Sequence, residues 1–189
     1  MKPTEVLSQI TPLSADCMLA IDELTEQKHY TKGSIIHPSG KVCKHLYFIE
    51  SGLLRFFYHD QDAKDVTYQF FGENLFTSVI NSYYTQTPSP YNIEAMEDSS
   101  LYVLRFADFE ALLSRFPELD KVYHSVLREF LLSAEQRIIS LQFYSAEERY
   151  RNLLENQPSI LQRVSLGHIA SYLGINQATL SRVRSKVRL

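Results

Sequence analysis

The apolar residues of this chain change their spacing once, and that change decides the class of fold. Between Lys32 and Leu104 they come in short runs: Leu46–Ile49, Leu53–Tyr58, Val66–Phe71, Tyr91–Ala95 and Leu101–Phe106. The runs are rich in Val, Ile, Tyr and Phe. Turn signals part them at Lys32-Gly33, Pro38-Ser39-Gly40, Ser51-Gly52, His59-Asp60-Gln61-Asp62 and Glu97-Asp98-Ser99-Ser100. Short strands at such intervals predict an antiparallel sandwich or barrel. After Pro117 the spacing becomes helical. Leu119, Val122, Tyr123, Val126, Phe130, Ala134, Arg137 or Ile138, and Leu141 step by threes and fours, an apolar stripe on one helix of ~25 residues and ~37 Å. Strands first and helices afterwards read as α+β.

A helix of that length needs a cover for its stripe. Its own β-domain is one possibility, and the same helix of a second subunit, packed as a short coiled coil, is the other. Upstream, Ser14 and Asp16 can cap a helix carrying Leu19 and Leu24, so residues 1 to about 30 read as helical. Residues 145–162 read as another helix with a break at Pro158.

Charge separates along the chain as well. From Asn156 onward there are five basic residues, Arg163, Arg182, Arg184, Lys186 and Arg188, and no acid. The preceding 155 residues hold fourteen Lys and Arg against 22 Asp and Glu, a formal balance of −8. The basic segment contains a patterned pair of helices. Ser165 is a good N-cap for a helix whose Leu166, Ile169, Ala170 and Leu173 share one face. Gly174 stands where a left-handed residue ends a helix, and Asn176 can cap a second one from Gln177 to about Val187.

The second helix keeps Leu180, Val183 and Val187 in one stripe. Its opposite side presents Ala178, Ser181, Arg182 and Ser185, with Gln177, Thr179, Arg184 and Lys186 at the flanks. A solvated face normally mixes charges, whereas this one offers only cations, hydroxyls, an amide and a methyl. Arg pairs bidentately with guanine, Gln with adenine, and Ala can touch a thymine methyl. The alternative is an ordinary helical hairpin with a basic face.

The run from Val164 to Arg184 resembles the winged helix–turn–helix of the Crp/Fnr superfamily of bacterial transcription regulators. Lys32 to Gly40, Leu46 to Ile49 and Ser51 to Leu53 resemble the first strands of that superfamily's cyclic-nucleotide-binding β-roll. The long helix resembles its dimer helix. Glu147 to Tyr150, with Leu153, Leu154 and Pro158, resembles the start of its DNA-binding domain. The resemblance implies a β-roll sensor domain with an N-terminal helix over residues 1–115, a dimerisation helix over 116–143 and a DNA-binding domain over 144–189. The usual wing hairpin after the second helix is expected to be missing or very short.

The implied function is a cytoplasmic, homodimeric regulator that binds double-stranded promoter DNA, dimerises through residues 119–141 and contacts RNA polymerase. The resemblance puts base reading on Gln177, Ala178 and Arg182, and a phosphate contact on Thr179. Ser181, Arg184, Ser185 and Lys186 complete the expected DNA surface. The family commonly has Glu where this chain has Ala178; a carboxylate there accepts from cytosine and a methyl cannot, so an operator different at that base is expected.

The effector site departs further from the family. Gly72, Glu73, Asn74 and Leu75 resemble the phosphate cassette, but the stretch that should bring an Arg-Ser or Arg-Thr pair reads Thr87-Pro88-Ser89-Pro90-Tyr91. Ser89 and Tyr91 are the candidate ligand contacts there. An unpaired buried phosphate is very costly, so the expectation is that cyclic AMP is not bound and the effector is unknown. Glu73 reads as a solvated turn residue. Phe70, Phe71, Phe76, Tyr83, Tyr84 and Tyr91 could line an apolar pocket but read better as core.

Other functions find less support. Cys17 and Cys43 are too few for the N-terminal iron–sulfur cluster of some relatives; a disulfide between them is formally open, and they read better as buried or idle thiols in a reducing cytoplasm. His29, His37, His45 and His59 could each ligate haem, and nothing distinguishes any of them. No His-x-His supports a cupin-type metalloenzyme, so no metal site and no enzyme are expected. No signal peptide or membrane span is expected. A ligand-binding or interaction module whose basic segment meets acidic partners is the remaining alternative.

Overall fold

The computed structural model describes residues 1–187, so Arg188 of the basic segment lies outside the described residues. The chain packs as two compact units: Met1–Phe56 with Phe70–Glu129, and Phe57–Gln69 with Phe130–Leu189.

The first unit opens on helices α1 (Pro3–Ile10) and α2 (Ala15–Leu24). The strands follow: β1 (Glu26–Tyr30), β2 (Ile35–His37), β3 (His45–Ser51), β4 (Leu54–His59), β5 (Asp65–Phe71), β6 (Phe76–Thr77), β7 (Asn92–Ala95) and β8 (Ser99–Arg105), with α3 (Ile80–Thr85) between β6 and β7. They form two four-stranded sheets, in the orders β1-β8-β3-β6 and β2-β7-β4-β5. Helix α4 (Phe106–Arg115) leaves β8 directly and leads into α5 (Glu118–Phe143).

Register explains the layering. Leu46 stands opposite Leu104 and Phe48 opposite Tyr102, on one face of the first sheet. Leu104 and Phe76 pack there against a helical cluster of Leu7, Cys17, Ala20, Ile21, Leu112, Phe116, Leu119 and Val122. The alternate residues, Tyr47 opposite Val103 and Ile49 opposite Leu101, fill the other face and are buried. Each such side chain fully buried contributes roughly 1.5–3 kcal/mol. The β3–β4 turn is tight. Gly52 has φ +101°, and a Cβ there would lie 2.2 Å from Ser99 Oγ and 2.8 Å from Ser99 Cα, so no larger residue fits without movement.

The second unit contains the tip of the β4–β5 hairpin, the C-terminal half of α5, and α6 (Ala146–Asn156), α7 (Ile160–Arg163), α8 (Leu166–Tyr172) and α9 (Gln177–Lys186). Ser145 caps α6 in a full capping box with Glu148. Its helices bury Tyr150, Leu153, Ile160, Ile169, Ala170, Leu173, Leu180 and Val183, and the hairpin tip buries Phe57 and Thr67.

Helix α5 divides its stripe between two uses. Leu119 and Val122 are buried in the first unit's helical cluster, with Val126 packed beside them. Beyond them Leu131 and Ile138 are 69% and 56% exposed, and Leu141 and Phe143 are exposed too. Leu127, Leu131, Ala134, Ile138 and Leu141 recur at alternating intervals of four and three, a heptad seam that starts where the intramolecular cover ends.

The antiparallel strands, the long helix and the helix–turn–helix stand as the sequence predicts. Several local expectations need correction. Residues 26–30 form strand β1 rather than continuing a helix, because Glu26 to Tyr30 pair with Val103 to Ser99 of β8. Leu19 and Leu24 are exposed; α2 buries Cys17, Ala20 and Ile21 instead. Ser99 and Ser100 lie in β8, not in the turn before it. The sequence pattern predicts neither α3 nor α4.

Candidate nucleic-acid interface and effector pocket

Two N-caps set the helix–turn–helix. Ser165 accepts from His168 N in α8, and Asn176 accepts from Thr179 N in α9 at 2.8 Å. Between them Gly174 takes φ +66°, the left-handed residue that lets α8 stop and the chain turn. Leu180 and Val183 turn inward. The outward side is then fixed: Gln177, Ala178, Ser181, Arg182, Arg184, Ser185 and Lys186 are exposed and Thr179 is half-buried. All eight sequence-predicted contacts therefore fall on one short helix, and no acid stands among them. Arg182 is held along the helix by a hydrogen bond to Thr179 Oγ1 (3.3 Å), and Ser185 Oγ donates to Arg182 O (2.8 Å). A cleft lined by Leu166, Gln177, Leu180, Ser181, Arg184 and Ser185 borders this face. Gly167 of α8 lies against the Gln177 amide, since a Cβ at Gly167 would come within 2.7 Å of Gln177 Nε2.

The same unit ties α8 to its neighbours. Ser171 Oγ accepts from Thr67 N (2.8 Å) and donates to Asp65 O (3.3 Å), so one hydroxyl joins α8 to the hairpin tip. Arg137 of α5 donates to Tyr172 O and lies 4.1 Å from the centre of the Tyr172 ring. Leu141 Cδ2 lies 3.3 Å from the point a Cβ of Gly174 would occupy.

In the first unit, the cassette candidates are engaged by backbone. Glu73 is exposed as expected, yet its Oε1 accepts from Gly52 N at 3.1 Å. Asn74 has φ +63° and donates its N–H to Ile49 O, while Leu75 O accepts from Ile49 N. Gly72 is half-buried and Leu75 exposed. Ser89 is buried, donating to Tyr91 O (2.9 Å) and accepting from Tyr91 N (3.0 Å). Its hydroxyl is committed to the 89–91 turn.

Sequence reasoning missed one cation in this sheet pair. Arg55 of β4 is buried and donates through Nε (3.0 Å) and Nη2 (2.8 Å) to Glu94 Oε2 of β7. Its place inside an apolar run, Leu53–Tyr58, is the signal that could have found it. A carboxylate already neutralises that charge.

The aromatic residues grouped by sequence are dispersed. Phe56 and Phe71 rings lie 4.8 Å apart, Phe48 and Phe76 4.7 Å, and Tyr83 stacks on Phe106 at 4.0 Å. Phe76 and Tyr84 also line a narrow apolar cavity of about 90 Å³ beneath the helical cluster, where Tyr84 and Tyr123 share a hydroxyl hydrogen bond of 2.8 Å. Cys17 and Cys43 are buried and unpaired; burial pushes the Cys17 thiol up to about 11, with Glu118 adding to it. His29 and His59 are exposed, His45 is half-buried and His37 buried. Among the described residues no three His, Cys, Asp or Glu side chains gather as metal donors, and no helix is long and apolar enough to cross a membrane.

Residues 27–116 match the cyclic nucleotide-binding domain family. The transcriptional activator protein Anr of Pseudomonas protegens is 23% identical over 184 residues, covering 90% of this chain and 74% of that protein. FixK2 from Bradyrhizobium japonicum superposes with a TM-score of 0.75 at 18% identity, over 86% of this chain and 83% of that one. The chain therefore shares the fold of FixK2. A CooA variant from Carboxydothermus hydrogenoformans agrees, with a TM-score of 0.73 at 18% identity over 98% and 84%.

The likeness seen in the sequence thus extends over both units as a likeness of fold. Within that frame the chain keeps the cyclic-nucleotide-binding type of domain and leaves its effector unspecified.

Proposed function

We propose that this chain is a homodimeric, sequence-specific DNA-binding regulator of transcription, working in the cytoplasm beside RNA polymerase, whose β-roll does not take cyclic AMP. The observation that carries the reading is the exposed side of α9. A capped, acid-free helix presents Arg182, Gln177 and Ala178 with cations at its C-terminal end, which is what a major groove accepts. In this reading Gln177, Ala178 and Arg182 read bases, while Thr179, Ser181, Arg184, Ser185 and Lys186 hold the backbone. The exposed heptad seam of α5 supports dimerisation through residues 119–141, chiefly their later half. The functional division follows: sensor 1–115, dimerisation helix 116–143, DNA-binding part 144–189.

The exclusion of cyclic AMP rests on charge. Residues 87–91 bring no arginine, the Ser89 hydroxyl is occupied by Tyr91, and Arg55 is paired with Glu94. A buried cyclic phosphate would lack a counter-charge at that stretch.

Selection from random duplex DNA tests the reading. A folded dimer should enrich two inverted half-sites about 34 Å, one helical turn, apart. Enrichment of nothing at low salt, or of single unpaired sites, overturns it. Titration with cyclic AMP should give no saturable heat; micromolar binding would overturn the effector part alone.

A further inference from the structure

We propose that the second unit holds a separate site for a small phosphorylated anion, built by Arg137 of α5 and Arg149 of α6. The two arginines line one polar cavity of about 300 Å³ whose walls include Gln136, Asn152, Asn156 and Tyr172 and contain no Asp or Glu. All of the lining belongs to the second unit, Gln69 of β5 included, so this is not the apolar cavity beneath the helical cluster of the first unit.

Both guanidiniums are only partly used by the protein. Arg137 donates one Nη to Tyr172 O, and Arg149 donates Nη1 to Tyr144 O at 2.8 Å. The Nε of each is buried and meets no hydrogen-bond acceptor among the described residues. Neither arginine makes an ion pair among the described residues; what Arg137 has instead is the face of the Tyr172 ring. Burial pushes the Arg137 guanidinium below its usual range, and Arg149 pushes it the same way. Two like charges drawn partly out of water without a carboxylate are costly. A shared anion removes both penalties at once, through charge-assisted hydrogen bonds that suit the planar guanidinium fork.

The lining favours one class of anion. Two cations on one cavity match a phosphate, whose two charges sit on one tetrahedral group, better than a carboxylate or a dicarboxylate whose charges are held apart. The amides of Gln136, Asn152 and Asn156 can both donate and accept, as the hydroxylated organic part of a phosphomonoester requires. Tyr172 and Leu173, also in the wall, directly precede the Gly174 turn. A ligand here would clasp α5, α6 and the end of α8 together. Its regulatory meaning, stiffening the mount of α9, rests on the DNA-binding reading; its existence does not.

Calorimetry on the full chain without DNA tests it, at constant ionic strength, with inorganic phosphate, ribose 5-phosphate and succinate as probes. Saturable binding is expected for both phosphates, tighter for ribose 5-phosphate, and not for succinate. Arg149→Gln should weaken both phosphates roughly tenfold or more, because a hydrogen bond to a charged group is worth at least 1.4 kcal/mol. Gln136→Leu keeps both cations and serves if the arginine variant does not fold; it should weaken ribose 5-phosphate while sparing inorganic phosphate. No saturable phosphate binding, equal binding of succinate, or binding unchanged in Arg149→Gln overturns the proposal. A chain that binds phosphate but no DNA would overturn the regulator reading alone, and the converse result this one alone.

Discussion

Replacing Gly52 by Ala tests how the β3–β4 turn is held. The backbone there sits at φ +101°, where a Cβ meets its own carbonyls and costs about 1–2 kcal/mol. The new methyl would also lie 2.2 Å from Ser99 Oγ, 2.6 Å from Ser99 Cβ and 2.8 Å from Ser99 Cα. The hydroxyl can swing aside only by leaving Glu97 O, to which it donates at 2.8 Å, and the Cα can move only with strand β8. Overpacking of that kind costs about 1–3 kcal/mol. The two effects together predict a loss of ~2–5 kcal/mol for the first unit, read by urea denaturation followed by circular dichroism. Adding Ser99→Gly removes the two closest atoms and leaves the unfavourable φ and the crowding against the backbone of residue 99. A double-mutant cycle should therefore show a favourable coupling of about 1–2 kcal/mol. A Gly52→Ala protein within about 1 kcal/mol of the parent, or a cycle without coupling, would refute the steric account. The same substitution should loosen the hydrogen bond from Gly52 N to Glu73 and so disturb the 72–75 turn.

Further outcomes are expected elsewhere. Leu131→Asp with Ile138→Asp places two charges on the exposed seam of α5 and should leave a folded monomer by sedimentation; an unchanged dimer would show that the seam is not the interface. Asn176→Ala removes the cap that Thr179 N uses and should cost the second unit about 1 kcal/mol, read as faster amide exchange at the start of α9; unchanged exchange would deny the cap its role. Cys17 is buried with its thiol pushed up to about 11, so it stays protonated at pH 8 and should resist iodoacetamide until the first unit unfolds; rapid native alkylation would contradict that burial.

Much of the fold was legible because its strongest elements carry their own periodicity. The runs Leu53–Tyr58 and Val66–Phe71 are apolar enough to read as strands unaided, and the caps Ser165 and Asn176 mark the helix–turn–helix to the residue. What escaped depends on partners. β1 is polar, Glu-Gln-Lys-His-Tyr, and is a strand only because β8 pairs with it. Helix α4 follows β8 without a turn signal, so its first residue, Phe106, reads as the end of a strand. The stripe on α5 reads as one surface, yet its burial divides it between an internal cover and an open seam. The roles expected of the α9 residues came from the family resemblance, whereas the helix's outward face could be read from helical spacing. The pairing of Arg137 with Arg149 could not, because it joins residues of different helices across a cavity that only packing creates.

The central claim, that α9 reads DNA, is tested most directly by comparing Arg182→Ala with Lys186→Ala on a selected operator and on mismatched sites, across a salt series. Arg182→Ala should cost about 1–3 kcal/mol on the matched operator and little on the mismatched ones, relaxing base preference. Lys186→Ala should weaken every sequence alike and lower the salt slope by about one. The same uniform loss from both substitutions, or a folded dimer that binds no operator at low salt, would contradict the account.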